Sequence, residues 1–261
     1  MLRLHEHPLS PYAQKVKITL RAKQVPFELL RPQGLGSGLA DDAFAKGNPR
    51  REVPFLVDGD LRIFDSTIML EYIEEKWPSP ALMPNAPARR AMIRMIEDVM
   101  DTHFEAVTWG LGEVKYFRRA TGARAETIRA RAADQLAGRY RWLEEQLGDA
   151  DWFTGDSFGR ADLSVVPYVN AASGFGFPPP RGGALAAWLG RVNAVPAVAE
   201  TAAEAEASIA GIGQAYRAVE SGGFRRHYRD HRLEWMIRTG GIDIVTTGLE
   251  RGDIRFTDGF D

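Results

Sequence analysis

Apolar positions in the first 76 residues alternate between a two-residue and a three-to-four-residue rhythm, which predicts short strands interleaved with helices. Leu2 to His5 reads as a strand. Pro11 to Lys23 reads as a helix, with Tyr12, Val16, Thr19 and Leu20 on one face, Ser10 as N-cap and Pro11 at the first helical position. Phe27 to Leu30 reads as a second strand, ended by Pro32 and the glycine-rich loop Gln33 to Gly38. A short helix is expected over Leu39 to Lys46. Phe55-Leu56-Val57 and Leu61 to Phe64 flank Asp58-Gly59, a dipeptide suited to a tight hairpin turn. Ser66 to Lys76 returns to helical spacing, with Ile68, Leu70, Tyr72 and Ile73 supplying apolar surface.

The order β-α-β, then β-β-α, is that of a thioredoxin-like α+β domain, expected over residues 1–78. Prolines 78, 80, 84 and 87 mark a linker, residues 79–87. Beyond Ala88 the pattern is helical throughout. Met92, Ile96, Val99, His103 and Val107 share a helical face until Gly110 and Gly112 loosen it. Further helices are expected over Glu126 to Leu147, from near Ala161, over Ala184 to Asn193 and over Ala197 to Ile209. This makes residues 88–210 an all-α domain. The extension 211–261 differs: Phe224 to Arg238 is an Arg-rich helical stretch closed by Gly240-Gly241, while Ile242 to Val245 and Ile254 to Phe256 look like β segments. Its mixed charge predicts a solvated surface.

Length and composition then narrow the classes. The 261 residues suffice for two domains, and 44% hydrophobic with 26% charged residues is ordinary for a globular chain. A formal charge of -2 gives no reason to expect nucleic acid or an anionic membrane as partner. No apolar run approaches the roughly 18 residues of a membrane helix. The first residues lack the apolar core of a secretory leader, so a cytoplasmic address is expected. The chain has no cysteine, which excludes disulfides, thiolate metal sites and a cysteine nucleophile. Any thiol chemistry must use a thiol brought by the ligand.

Three short pieces carry candidate chemistry. Ser10 stands at the mouth of the first helix, where a hydroxyl either caps the helix or donates to a thiolate. Val53-Pro54 opens a strand; a cis bond there would present backbone groups to an extended peptide, and an edge-strand proline is the structural alternative. Asp65-Ser66 opens another helix and either caps it or receives the carboxylate and amino group of a ligand. Other constellations are weaker. His227 and His231 have helical spacing but no third ligand, so a surface location is expected and no metal. His5 and His7 alternate across a strand, and Tyr140-Arg141-Trp142 reads as helix core. Gly34 to Gly38 falls short of a dinucleotide fingerprint.

The run NPRREVPFLVDGDLRIFDSTIMLEYIEEKWP resembles the glutathione-binding half of the glutathione transferase family, in its Asn-Pro, Val-Pro, acid-Ser and Ile-x-x-Tyr-Ile elements. SPYAQKVKITL is similar to the active-site helix of serine-type members such as the plant tau class. The resemblance covers about residues 1–210. It implies that Ser10 activates glutathione as co-substrate, that Val53 and cis Pro54 pair with its cysteinyl backbone, and that Asp65 and Ser66 hold its γ-glutamyl end. Tyr12 would join that site, and Arg51, Arg50 or Lys46 would reach the glycyl carboxylate. It also implies a homodimer and a pocket for a small electrophile lined by Met100, His103, Phe104 and Val107. The expected reaction is conjugation to an apolar electrophile, or displacement of halide or an aryl ether oxygen. A non-catalytic glutathione- or protein-binding module of the same fold is the alternative. Two departures stand out: Gly159-Arg160-Ala161-Asp162 lacks the hydroxyl of the family's buried capping box, and the extension exceeds the family's usual end.

Overall fold

The computed structural model describes residues 1–32, 42–213, 215–228 and 230–255. The expected loop at 33–38, the start of the helix expected from Leu39, and Phe256 lie outside the described residues. A four-stranded mixed sheet has the order β2-β1-β3-β4, with β1 (Leu2–His5), β2 (Phe27–Leu30), β3 (Phe55–Asp58) and β4 (Leu61–Phe64). β1 runs parallel to β2 and antiparallel to β3, and β3 pairs antiparallel with β4. Helices α1 (Pro11–Ala22), α2 (Asp42–Ala45) and α3 (Ser66–Lys76) complete a thioredoxin-like unit. The hairpin turn is Gly59-Asp60, one residue later than expected, because Asp58 still pairs with Leu61. The Asp58 carboxylate accepts from Tyr72 Oη at 2.7 Å and from Lys76.

The remainder is helical: α4 (Pro87–Val99), a π-turn segment (Met100–Phe104), α5 (Glu105–Lys115), α6 (Gly122–Leu147), α7 (Arg160–Gly174), α8 (Ala184–Asn193) and α9 (Pro196–Ile212). Pro78, Pro80 and Pro84 lie between elements, whereas Pro87 opens α4.

α1 is enclosed on every side, Ala13 to Leu20 all being buried. Its apolar residues Val16, Ile18 and Leu20 join the core, and its cations reach into the helical half. Lys15 Nζ meets Glu97 at 2.7 Å and also Asp101, while Lys17 Nζ lies 3.0 Å from Glu6 and 2.7 Å from Glu204. Lys23 binds Glu74 and the carbonyls of Trp77 and Pro80, pinning the linker.

The missing capping hydroxyl has a substitute. Asp162 supplies its half, accepting from Gly159 N–H at 3.1 Å, Phe153 N–H at 2.8 Å and Trp188 Nε1 at 2.8 Å. The other half comes from Thr154, whose Oγ1 accepts from Ala161 N–H at 3.1 Å. A side chain at position 159 would start 2.6 Å from Thr154 Cγ2 and 2.7 Å from the Leu82 carbonyl. Glycine at the N-cap therefore leaves room for a hydroxyl delivered from the preceding loop.

The extension departs most from expectation. It forms α10 (Ala215–Glu220), β5 (Arg226–His227), α11 (Asp230–Arg238), α12 (Ile242–Glu250) and β6 (Ile254–Arg255), with β5 and β6 parallel. Ile242 to Val245 is thus helix, not strand. Nor is the segment a solvated surface, since α11 packs on α5. A Cβ at Gly110 would fall 2.0 Å from the Trp235 indole, so glycine there admits the approach instead of loosening α5. Glu105 is paired with Arg232 at 2.6 Å and His231 at 2.8 Å, and Glu113 with Arg226 at 2.5 Å and Tyr228 Oη at 2.9 Å. His227, 2.6 Å from Glu52, and His231 are largely buried and bonded to different acids.

Glu97, Glu105 and Glu204 in these ties, and Glu71, which pairs with Arg94 at 2.9 Å and Arg160 at 2.5 Å, are held below their ordinary value of 4.5, Glu97 at about 2. Burial, the largest single influence, raises each of them, and the adjoining Lys, Arg and His groups together outweigh it. Asp101 and the α7 capping residue Asp162 move the other way, pushed up by burial. A carboxylate depressed on folding contributes stability that is complete above its unfolded pKa and is lost as pH falls through the folded one. The melting temperature should therefore decline steeply from pH 4.5 down to about 2; a flat profile across that window would show the ties to be energetically idle. Thr154→Val should cost about 1 kcal/mol, the worth of an N-cap hydroxyl, in urea unfolding. An unchanged midpoint would refute the substitute cap.

Candidate active site

A cleft of about 750 Å3 opens where the sheet unit meets the helices and the extension. Each wall comes from the end of an element. The β1–α1 turn gives His7, Ser10 and Tyr12; the chain before β3 gives Asn48, Arg51, Val53 and Pro54; the start of α3 gives Asp65, Ser66 and Thr67. Asp101, Glu105 and Trp109 face it from the helical half, and Phe224, Arg226, His227 and Arg232 from the extension.

Ser10 has extended backbone angles and its Oγ accepts from Ala13 N–H at 3.3 Å. That bond uses an acceptor lone pair and leaves the hydroxyl proton available, and the proton meets no acceptor among the described residues. Tyr12 also lines the cleft, but its hydroxyl donates to the Asp101 carbonyl at 2.6 Å, a bridge to the helical half. The Val53–Pro54 peptide is cis. Just before it, the Glu52 carboxylate bonds His227 Nδ1 at 2.6 Å, tying the extension to this segment.

Asp65 caps α3, accepting from Thr67 N–H at 3.0 Å, while its other oxygen takes Arg50 at 3.1 Å. Its φ of +82° is strained for a non-glycine residue, a condition that surrounding structure must enforce. Ser66 is buried beside it. Of the three cations considered for the glycyl carboxylate, Arg50 is paired with Asp65, Arg51 is exposed at the cleft, and Lys46 is exposed away from it.

The four residues expected to line an acceptor pocket do not. Met100, Phe104 and Val107 are fully buried in the core, and His103 is exposed on a separate hollow with Arg139 and Trp142. The face turned to the cleft is one residue further on, with Asp101, Glu105 and Thr108, then Trp109 and Gly112. One residue is about 100° of helix rotation. The apolar stripe that the periodicity detects is consumed by the core, and the polar flank beside it forms the wall.

Aromatic residues supply the apolar part of that wall: Trp109 on α5, Tyr116 and Phe117 just after it, Phe175 just after α7, and Phe224 from the extension. The Arg226 guanidinium lies 3.8 Å from the Phe117 ring centroid while bonded to Glu113. Glu105 beneath it is held below its ordinary value because Arg232 and His231 overcome the effect of burial. Sequence reasoning missed this contribution from the extension. The signal was charge complementarity: two acids on the apolar face of α5, and a cluster of Arg and His in the tail.

Among the described residues no group of three or more His, Cys, Asp or Glu is placed to hold a metal ion, and no helix is long and apolar enough to cross a membrane.

Comparison with known proteins agrees with this geometry. Residues 4–81 match the family described as glutathione S-transferase, N-terminal domain, and residues 99–196 match glutathione S-transferase, C-terminal domain. Glutathione S-transferase U28 of Arabidopsis thaliana is 30% identical over 163 residues, covering 62% of this chain and 68% of the relative. A tau-class glutathione S-transferase from mango (Mangifera indica) superposes with a TM-score of 0.68 at 27% identity, over 81% of this chain and 98% of that one. A glutathione S-transferase from Rhodospirillum rubrum gives 0.67 at 28% identity, over 77% of this chain and 91% of the other. The chain belongs to the glutathione S-transferase family.

Proposed function

We propose that this member works in the cytoplasm as a glutathione transferase, with Ser10 activating the thiol and an aromatic-walled acceptor pocket completed by the C-terminal extension. The observation that carries the reading is the hydroxyl of Ser10, capped into place at the mouth of α1 with its proton uncommitted and facing the cleft. A thiolate there receives a charge-assisted hydrogen bond and the positive end of the helix. The neighbouring elements suit the rest of the tripeptide. Val53 and Pro54 would pair with its cysteinyl backbone, Asp65 and Ser66 would hold the γ-glutamyl end, and Arg51 would reach the glycyl carboxylate. Tyr12 would position α1 against Asp101, not bind the ligand through its hydroxyl. The thiolate then attacks an electrophilic carbon of a small apolar substrate, and halide or an aryl ether oxygen departs where one is present. No metal enters this scheme.

Ser10→Ala should lower turnover of glutathione with a dinitrophenyl halide by at least about tenfold, since losing one preorganised donor costs up to roughly a hundredfold to a thousandfold. Glutathione affinity by calorimetry should be retained. Equal rates in both proteins would leave Ser10 as a cap alone.

A homodimer is part of the same reading. Ile68 on α3 and Met92 and Met95 on α4 are exposed apolar residues on helices joined by the Arg94–Glu71 pair at 2.9 Å. Sedimentation should give twice the chain mass, and Met92→Glu with Met95→Glu should give monomers. A monomeric parent chain would refute this part.

A further inference from the structure

His7 occupies a position that the scheme above does not use. The turn from His7 to Ser10 is closed by Ser10 N–H donating to the His7 carbonyl at 2.8 Å. Pro8 suits its second position. Gln14 Nε2 holds the Pro8 carbonyl at 2.7 Å, and Leu9 N–H donates to His7 Nδ1 at 3.2 Å. The imidazole is thereby fixed at the start of the same turn that ends with Ser10 at α1, and both residues line the cleft.

The Leu9 contact also decides the tautomer. A neutral imidazole has one donor and one acceptor nitrogen, so an Nδ1 that accepts places the proton on Nε2. Burial pushes the His7 pKa below its ordinary value, with Arg31 and Lys17 adding to the effect against Glu6, so the ring is neutral at pH 7. No partner among the described residues meets Nε2. Both residues line the cleft at the two ends of one turn, and among the described residues neither the Ser10 hydroxyl proton nor Nε2–H of His7 meets an acceptor.

We propose that His7 is a further catalytic residue, whose Nε2–H donates a hydrogen bond to the acceptor atom on which negative charge develops as the thiolate attacks. The assignment rests on the reading of Ser10 as the ligand of the sulfur. The ends of a tight turn lie within about 7 Å of one another. A donor at the far end can therefore reach an atom one or two bonds beyond the sulfur. In the step itself the sulfur lone pair forms the C–S bond. The bond from that carbon to the leaving group breaks, and the halide or aryl oxide departs with its electron pair. The thiol proton has already passed to solvent. His7 transfers none, and an uncharged donor of this kind does not compete with Ser10 for the thiolate as an imidazolium would.

Two substitutions separate this role from bracing of the turn. Asparagine can accept Leu9 N–H through its own side chain, as in an Asx turn, but has no donor at the Nε2 position. Glutamine places an amide N–H near Nε2 and gives up the Leu9 bond. With the full chain, glutathione and a series of nitrophenyl ethers, His7→Asn should lower kcat by about a hundredfold, the low end for loss of one preorganised donor. Glutathione affinity should stay within twofold, and the loss should grow as the leaving oxygen becomes more basic. His7→Gln should recover at least tenfold over His7→Asn. If His7 merely braces the turn, His7→Asn keeps wild-type kcat and His7→Gln is the impaired variant, which overturns the proposal. Equal losses in both variants, or a loss confined to the KM for glutathione, overturn it too. A wild-type chain that binds glutathione but shows no dependence on position 7 sinks this inference alone, whereas one that does not bind glutathione sinks the proposed function with it.

Discussion

The pairing of buried α1 cations with acids of the helical half fixes the geometry on which everything else depends. The side chains of Lys15 and Lys17 are completely buried, so neither charge has recourse to water. Removing one partner of such a pair costs about 3–5 kcal/mol, because the remaining ion is left uncompensated. Lys15 is clamped by Glu97 and Asp101, Lys17 by Glu6 and Glu204, and Arg21 by Glu200 and Glu204. α1 cannot rotate or slide without breaking several of these at once. Its N-terminus, with the His7–Ser10 turn, is held at the cleft by charges lying one to three turns deeper along the helix. Asp101 links the two functions: its carboxylate takes Lys15 and Tyr168, its carbonyl takes Tyr12, and it lines the cleft.

That constraint explains what the sequence could and could not disclose. Elements specified locally were legible. Ser10-Pro11 caps and opens α1, Asp65 caps α3, and the alternation around Gly59 makes the hairpin, all within a few residues of chain. Nothing local singles out Lys15 and Lys17 as buried, because their partners lie more than eighty residues away, except Glu6. Thr154 was likewise invisible as a cap for α7, since its hydroxyl arrives from a loop instead of the N-cap position. The acceptor wall was misplaced for a related reason. Hydrophobic periodicity finds the stripe that packs into the core, and a substrate wall is what remains beside it.

The same logic applies to the extension, which composition alone presents as mixed charge and hence as surface. Charge buried on both sides of an interface is locally indistinguishable from charge exposed to water. What distinguishes them is complementarity between distant segments: Glu105 and Glu113 on α5 against Arg226, His231 and Arg232 in the tail. The Gly110 contact with Trp235 is the steric counterpart of that match. Because these anchors lie in the helical half while His227 reaches Glu52 beside Val53, the extension spans the cleft from one wall to the other. It behaves as a structural wall of the site.

Structural and chemical readings of a terminal polar residue are usually set against each other, and here they coincide. A serine hydroxyl has two lone pairs and one proton, so Ser10 caps α1 with a lone pair and keeps the proton for the cleft. Asp65 divides its two oxygens between α3 and Arg50. His7 gives Nδ1 to Leu9 and leaves Nε2. In each case the structural bond immobilises the side chain and selects which atom remains, so capping is what makes the remaining atom usable. A free side chain at the same position would lose rotamer entropy on meeting a ligand, whereas one already bonded has met that cost in folding. Preorganisation of this site therefore comes from the helix caps and turns themselves, with the buried charges of α1 holding those caps in register with the opposite wall.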